Sequence, residues 1–389
     1  MCWFCIRNTH CGLKKEISYI FELFTIISVS NIPQKVNGFV MLDVYAGTHA
    51  QAIIKENGFT PEIFSAMLGA SGGPKWFVLA GLDRVIVPEF LSTASQTIDI
   101  VGTSAGAFRT ACLTQNDPRD AIDRLAHHYS RTTYSEQPTP TEISESARHI
   151  LQLMLGDNGI SEILNNSRFK AHFITARSKG LDKYTHKYAQ MLGLLCSAIG
   201  NTLSRSTIKA FYERVTFGVR ELQYACPAKL GNTYVPLSES NLEDALVASG
   251  SIPLVMDGVR DIIGAPTGMY RDGGIIDYHF DFSLQQPIKS AGLVLYPHFY
   301  KKPIPGWFDK GLAYRKAHTS SYDNVVMLVP SDEFVAKLPY GKISDRNDFI
   351  NLDADARLKY WQTILSETDR LGELFMQWSS SDEIIDKMQ

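Results

Sequence analysis

Cysteine is scarce. Six in 389 residues cannot form a disulfide scaffold, and three of them (Cys2, Cys5, Cys11) crowd into the first eleven positions. Reduced thiols are the expectation. Cys2 and Cys5 have the C-x-x-C spacing of a zinc ligand pair, with His10 and Cys11 close behind, but the surrounding sequence is too apolar for a compact zinc knuckle. Long hydrophobic runs are also missing: no stretch reaches the roughly 18 uninterrupted apolar residues of a membrane span. The best, Ile17 to Val29, is broken by Glu22 and two serines. Lys14 and Lys15 ahead of it give a faint outline of a signal peptide, yet no A-x-A-like cleavage site follows. A cytoplasmic location is expected, with secretion as the alternative.

Charge of one sign is lacking too. Against 41 acidic residues stand 38 basic ones, a formal net charge of -3. That leaves no excess with which to neutralise phosphates, so nucleic acid is not expected as a partner, nor is adhesion to anionic lipid by bulk charge. No internal repeat, low-complexity linker, calcium loop or cluster of metal-ligating residues marks the chain. Metal and cofactor are therefore both expected to be none.

What is present is alternation. From Met41 onward short apolar runs alternate with amphipathic stretches, the pattern of an α/β fold with a central, mostly parallel sheet. Strands are predicted at Phe64–Leu68, Ile98–Val101, His172–Ala176, Val215–Val219, Gly292–Tyr296 and Val325–Val329. Helices are predicted from Pro74 to about Val87, from Ala105 to about Leu113, and over Glu142–Leu155, Lys183–Ile199 and Asp355–Trp378. Residues 1–40 form an extension of uncertain status. Residues 41–389 read as a single domain, with a helix-rich stretch at about 117–214, interrupted by a Q-P-T-P-T turn, as a cap inserted in it.

Two G-x-S-x-G motifs stand out: Gly69-Ala70-Ser71-Gly72-Gly73 and Gly102-Thr103-Ser104-Ala105-Gly106. Each follows an apolar strand and opens a helix. Such a turn pushes its serine into the open, and its glycines permit the close backbone approach and strained dihedrals the turn needs. With glycine at 28 of 389 positions, one accidental match is no surprise. Context separates the two. Ser104 ends the buried run Ile98-Asp99-Ile100-Val101 and is followed by small residues that let a helix pack close behind it, which suits a nucleophile. Ser71 is followed by Gly72-Gly73-Pro74-Lys75, whose exposed N–H groups and preset helix start suit an anion. The first loop therefore reads as an oxyanion hole. It is not a nucleotide phosphate loop, because Pro74 precedes the lysine and Trp76 stands where the magnesium-binding hydroxyl would be.

A glycine-rich loop with G-G-x-K, a G-x-S-x-G about thirty residues later and a downstream D-G-G at Asp272-Gly273-Gly274 resembles the patatin-like phospholipases. The segments Ala245–Pro253 and His172–Arg177 resemble that family's serine-rich helix and central strand, so the likeness covers roughly residues 64 to 296. One departure is Trp76, where the family usually has glycine. The resemblance implies a three-layer α/β/α domain and a lipid acyl hydrolase of phospholipase A or lysophospholipase type. Its site would be a dyad in which Ser104 attacks the ester and Asp272 takes the proton, with Gly72 and Gly73 as oxyanion donors. It implies no cofactor, a lipid or acyl-ester substrate and transient contact with a membrane surface.

Alternatives stay open at this level. A serine, acid, histidine triad is compatible with chain order through His279, His298 or His318, although His279 reads as a solvent-facing or hydrogen-bonded strand position. Asp277 is a substitute base. The same parts could transfer an acyl group to an alcohol, or persist in a silent lipid-binding or partner-binding protein. Met191–Gly200, apolar nearly all round, reads as a buried helix with a lipid-facing lid as the alternative. The stripe of Leu358, Trp361, Leu365, Leu371, Phe375 and Trp378 reads as packing against the sheet.

Overall fold

Ile98–Thr103 and Val325–Pro330 are buried along their whole length, as strands covered on both faces must be. In the computed structural model, which describes residues 40–285, 292–381 and 383–389, such runs are the middle of one large sheet. The early cysteines with His10, the signal-like run and all but the last residue of the 1–40 extension lie outside the described residues.

The strands are β1 (Leu42–Ala46), β2 (Phe64–Gly69), β3 (Ile98–Thr103), β4 (Phe169–Ser178), β5 (Tyr212–Gly218), β6 (Gln223–Ala225), β7 (Asn232–Pro236), β8 (Val259–Arg260), β9 (Met269–Asp272), β10 (Ser283–Gln285), β11 (Leu293–Pro297) and β12 (Val325–Pro330). Ten make one sheet along the path β1-β12-β11-β2-β3-β4-β5-β7, with β9 on β4 and β8 on β9. From β12 to β4 every pairing is parallel, and β1, β5, β8 and β9 add the antiparallel ones. The result is a mixed α/β fold. β6 and β10 form a separate ribbon.

The principal helices are α1 (Ala80–Val85), α2 (Ala105–Leu113), α3 (Pro118–Ser130), α4 (Pro140–Leu155), α5 (Lys187–Leu203), α6 (Leu242–Gly250), α7 (Ala354–Glu367) and α8 (Asp369–Ser380). One core of apolar side chains runs through the sheet and its helices, and a smaller one around Leu194, Tyr212 and Ile276 lies under α5.

Register positions the site. β3 stops at Thr103, opposite Ile174 of β4. β5 occupies the other edge of β4 from His172 to Ser178, so β9, which pairs with β4 from Thr175 onward, continues the edge that β3 leaves free. β3 and β9 therefore meet end to end, and Asp272, opposite Thr175, arrives beside Ser104. On the other side β2 is parallel to β3 with Gly69 opposite Gly102, so both glycine-rich turns leave the same end of the sheet.

Several elements differ from the sequence expectation. The helix expected from Pro74 begins as a 3-10 turn over Gly73–Leu79, is α-helical only through α1 and ends as a π turn over Ile86–Phe90. The single helix expected over Asp355–Trp378 breaks at Thr368. Thr368 Oγ1 there accepts the Gly81 N–H at 3.1 Å, and a Cβ on Gly81 would stand 1.8 Å from the Thr368 carbonyl oxygen. Its apolar stripe packs inward nonetheless: Trp361, Leu371 and Phe375 are fully buried. The stretch from Asp117 to Arg214 supplies α3, α4 and α5 together with β4, which extends the expected strand His172–Ala176 at both ends and is paired on both edges.

α5 is not the buried helix expected of Met191–Gly200. Its buried side carries Leu194 among polar or small residues, Gln190, Gly193, Ser197 and Asn201, whereas Tyr188, Leu192, Leu195, Ile199 and Leu203 face outward. The inward polar groups have partners: Ser197 Oγ donates to the Gly193 carbonyl and Asn201 Nδ2 to Asp309.

Candidate active site

Ser104 sits at φ 55°, ψ −127°, a region that non-glycine residues avoid at a cost of about 1–3 kcal/mol unless the surroundings hold them there. Those surroundings are tight. A Cβ on Gly106 would stand 1.9 Å from the Gly69 carbonyl oxygen and one on Gly102 2.3 Å from that of Gly106, so α2 rests directly on the ends of β2 and β3. The Ser104 N–H donates to Ser249 Oγ of α6 at 3.0 Å, and that hydroxyl donates on to the Ile174 carbonyl at 2.7 Å.

The Ser104 hydroxyl donates to Asp272 Oδ2 at 2.7 Å. The other carboxylate oxygen, Oδ1, accepts the Gly274 N–H at 2.7 Å, which fixes the plane of the carboxyl group. Both residues are nearly buried, Ser104 at 3% exposure and Asp272 at 6%. Burial raises the Asp272 pKa above the ordinary carboxylate value; the Ser104 hydroxyl, Arg346, the Gly274 N–H and Lys310 oppose the rise without cancelling it. A carboxylate so placed is a stronger base than a solvated one and is held against the proton it would take.

The first motif has a different geometry. Ser71 is 1% exposed, its N–H donates to the Tyr278 carbonyl at 3.0 Å, and its hydroxyl lies 3.5 Å from the Thr103 carbonyl, packed against Gly274. Gly72 and Gly73 follow at the start of the 3-10 turn, where N–H groups have no carbonyl of their own helix to bond. Gly73 is at φ +56°, a conformation that favours glycine. Trp76 is buried against Phe77 and Tyr129, so its indole takes up space in the core behind the loop.

None of the three histidines hydrogen-bonds Ser104 or Asp272. His279 is fully buried in a bend, not at a solvent-facing strand position; its Nδ1 accepts the Ile304 N–H at 2.9 Å, and burial holds its pKa well below the usual value. His298 accepts the Tyr300 N–H at 2.9 Å and is pushed down to about 3 by burial. His318 Nδ1 pairs with Asp281 at 2.9 Å. Asp277, the substitute base, is taken up on both oxygens by Arg214, at 2.5 and 2.7 Å. Among the described residues no group of three or more His, Cys, Asp or Glu side chains is placed to hold a metal ion.

Sequence reasoning missed three contributors. Ser249 lay inside the quoted serine-rich helix without being singled out. Lys310 and Arg346 lie in loops after β11 and β12, far from any motif, and no local pattern announces them.

No family model matches this chain, and no curated protein matches it. Among solved structures, VipD from Legionella pneumophila aligns with a TM-score of 0.29 at 11% identity, over 72% of this chain and 56% of that one. The chain thus spans little more than half of VipD, and a likeness so slight does not bear on the site.

Proposed function

We propose that the chain is a patatin-like lipid acyl hydrolase of phospholipase A or lysophospholipase type, a carboxylic ester hydrolase working through a Ser104–Asp272 dyad. The observation that carries this reading is the 2.7 Å hydrogen bond from the Ser104 hydroxyl to a buried carboxylate, at a serine held in a strained turn. In the reaction, Ser104 Oγ attacks the ester carbonyl carbon as its proton passes to Asp272 Oδ2. The oxyanion that forms lies against the N–H groups of Gly72 and Gly73, where loss of one donor costs about 3 kcal/mol in the barrier. Collapse breaks the bond to the leaving alcohol, which takes the proton from Asp272. Water then gives its proton to Asp272, attacks the acyl-serine carbonyl and releases the fatty acid and the free hydroxyl.

In fold this corresponds to a three-layer α/β/α domain of patatin type, with the helices of 117–214 as its cap. The outward face of α5 supports contact with a lipid surface. It carries Tyr188, Leu192, Leu195, Ile199 and Leu203, has no acidic residue, and is flanked by exposed Lys183 and Lys187, a composition suited to an interface with anionic headgroups. Labelling of the intact protein with a fluorophosphonate probe, followed by peptide mapping, tests the reading. Attachment at Ser104 is the expected result, and absence of labelling in well-folded protein would overturn it.

A further inference from the structure

Three cations gather beside the dyad, Lys310 and Arg346 acting on Asp272 and Lys75 on Lys310, and among the described residues none forms an ion pair with a carboxylate. Lys75 ends the glycine-rich loop, Lys310 follows the turn Trp307–Asp309, and Arg346 precedes the turn Asp348–Asn351. All three side chains are half-buried, beside a dyad that is nearly buried. A Cβ on Gly73 would stand 2.8 Å from Arg346 Nε, and Lys310 Nζ lies 3.8 Å from the centroid of the Tyr278 ring. Ser344 Oγ donates to the Pro74 carbonyl at 2.6 Å, which ties the Arg346 loop to the glycine-rich loop. Lys310 and Arg346 both act electrostatically on Asp272, and Lys75 and Arg346 both act on Lys310.

The neighbouring acids are committed elsewhere. Asp309 accepts from Arg205 at 3.1 Å, Asn201 at 2.6 Å and the Gly306 N–H at 2.9 Å. Asp348 accepts from Lys342 at 2.6 Å, the Trp361 indole at 2.9 Å and the Asp345 N–H at 2.8 Å. Asp345 itself accepts the Asn347 N–H at 2.7 Å and lies 3.4 Å from Lys342. Among the described residues none supplies a carboxylate within ion-pair distance of Lys75, Lys310 or Arg346. Burial brings Lys75 down to about 8 and Lys310 well below its usual value; Arg346 adds to the effect at both, while the more distant Asp345 and Asp348 oppose it at Lys75 and Asp272 opposes it at Lys310. Like charges gathered from three chain segments in a poorly solvated place repel one another unless an anion sits among them.

We propose that Lys75, Lys310 and Arg346 form a subsite for the phosphate of an ester substrate, so that the scissile acyl group belongs to an anionic glycerophospholipid or lysophospholipid and not to a neutral glyceride. A guanidinium fork with two ammonium groups matches the several oxygens of a phosphate better than one carboxylate would. In a glycerophospholipid the phosphate is only a few bonds from the acyl ester, as the closeness of the cations to Asp272 requires. A seated phosphate also offsets the pull of Lys310 and Arg346 on Asp272, leaving burial to raise its basicity. The assignment rests on the hydrolase reading for its substrate, but its binding step is testable without turnover.

The test uses full-length Ser104→Ala protein and an ether lysophospholipid, 1-O-alkyl-glycero-3-phosphate, with the alkylglycerol of the same chain length as its neutral counterpart, both below their aggregation limits in calorimetry. The phosphate-bearing lipid is expected to bind at least tenfold more tightly, and Lys310→Gln with Arg346→Gln to abolish that difference while leaving the alkylglycerol unchanged. Inorganic phosphate should displace the phosphate-bearing lipid and leave the alkylglycerol bound, and equal displacement of the two would count against the subsite. Equal binding of the two lipids, or an equal loss on both in the double variant, would overturn the subsite. On the serine-containing enzyme the same double variant should lower turnover of the lysophospholipid at least tenfold more than that of a short neutral ester, whose rate changes only through the lost pull of the two cations on Asp272. An equal fall on both esters would mean that the cations serve the oxyanion instead. Absence of turnover on every ester would sink the hydrolase reading alone, since the calorimetry would still stand.

Discussion

Ser249 Oγ accepts the backbone N–H of Ser104 at 3.0 Å and donates a hydrogen bond to the Ile174 carbonyl at 2.7 Å, so a hydroxyl from α6 spans the gap between the end of β3 and β4. The strained turn at Ser104 is anchored through its backbone. Ser249→Ala leaves a buried N–H and a buried carbonyl without this partner, at a cost of about 1–3 kcal/mol. Urea unfolding should register that loss, and fluorophosphonate labelling of Ser104 should slow in the folded variant.

Ser71 and Ser104 share a motif but not a role. Ser104→Ala should abolish ester hydrolysis with folding intact, whereas Ser71→Ala should keep a substantial fraction, because that loop acts through backbone donors. Steady-state hydrolysis of a short acyl ester by both variants, with circular dichroism to confirm folding, decides the ranking. The opposite order would reassign the two motifs.

The raised pKa of Asp272 has two consequences of opposite sense. Activity needs the carboxylate, so kcat should fall as pH drops through a value above the ordinary carboxyl range near 4. Stability runs the other way: a carboxyl whose pKa is higher in the folded chain than in the unfolded one loses stability as pH rises and it ionises. Asp272→Asn should therefore be more stable than the parent at pH 8, with the gap closing in acid. Denaturant unfolding across pH, set beside the pH–rate profile, measures both.

The outward face of α5 should govern binding to membranes and not the chemistry. Leu195→Asp with Ile199→Asp places charge on two exposed positions, so folding should be unaffected. Co-sedimentation with anionic phosphatidylglycerol vesicles should fall at least tenfold while hydrolysis of a soluble short ester stays within about twofold. Unchanged sedimentation would remove α5 from the lipid surface.

The residues that the sequence announced are those whose chemistry is local. Gly102 to Gly106 and Asp272 to Gly274 carry their turns in their own composition, and the buried runs of β2, β3 and β12 are apolar enough to be read as strands. What escaped detection depends on pairing across the chain. β9 is four residues long and is a strand only because β4 has a free edge beyond Thr103. α5 has the composition of a core helix, and which of its faces turns inward is decided by Asp309 and the small core beneath it, not by its own periodicity. Lys310 and Arg346 carry no local mark, since they matter only where three loops converge.

Catalysis by two residues is most directly tested by comparing kcat for Asp272→Asn with that for Ser104→Ala and for single alanine changes of His279, His298 and His318, all on one soluble acyl ester and with folding verified. Nucleophile and base act as a unit, so their losses do not add. Asp272→Asn should fall by about 10²–10⁴ toward the Ser104→Ala level, and each histidine variant should stay within about tenfold of the parent. A folded histidine variant without activity, beside an Asp272→Asn enzyme that is merely slower, would contradict the dyad and put a histidine-centred triad in its place.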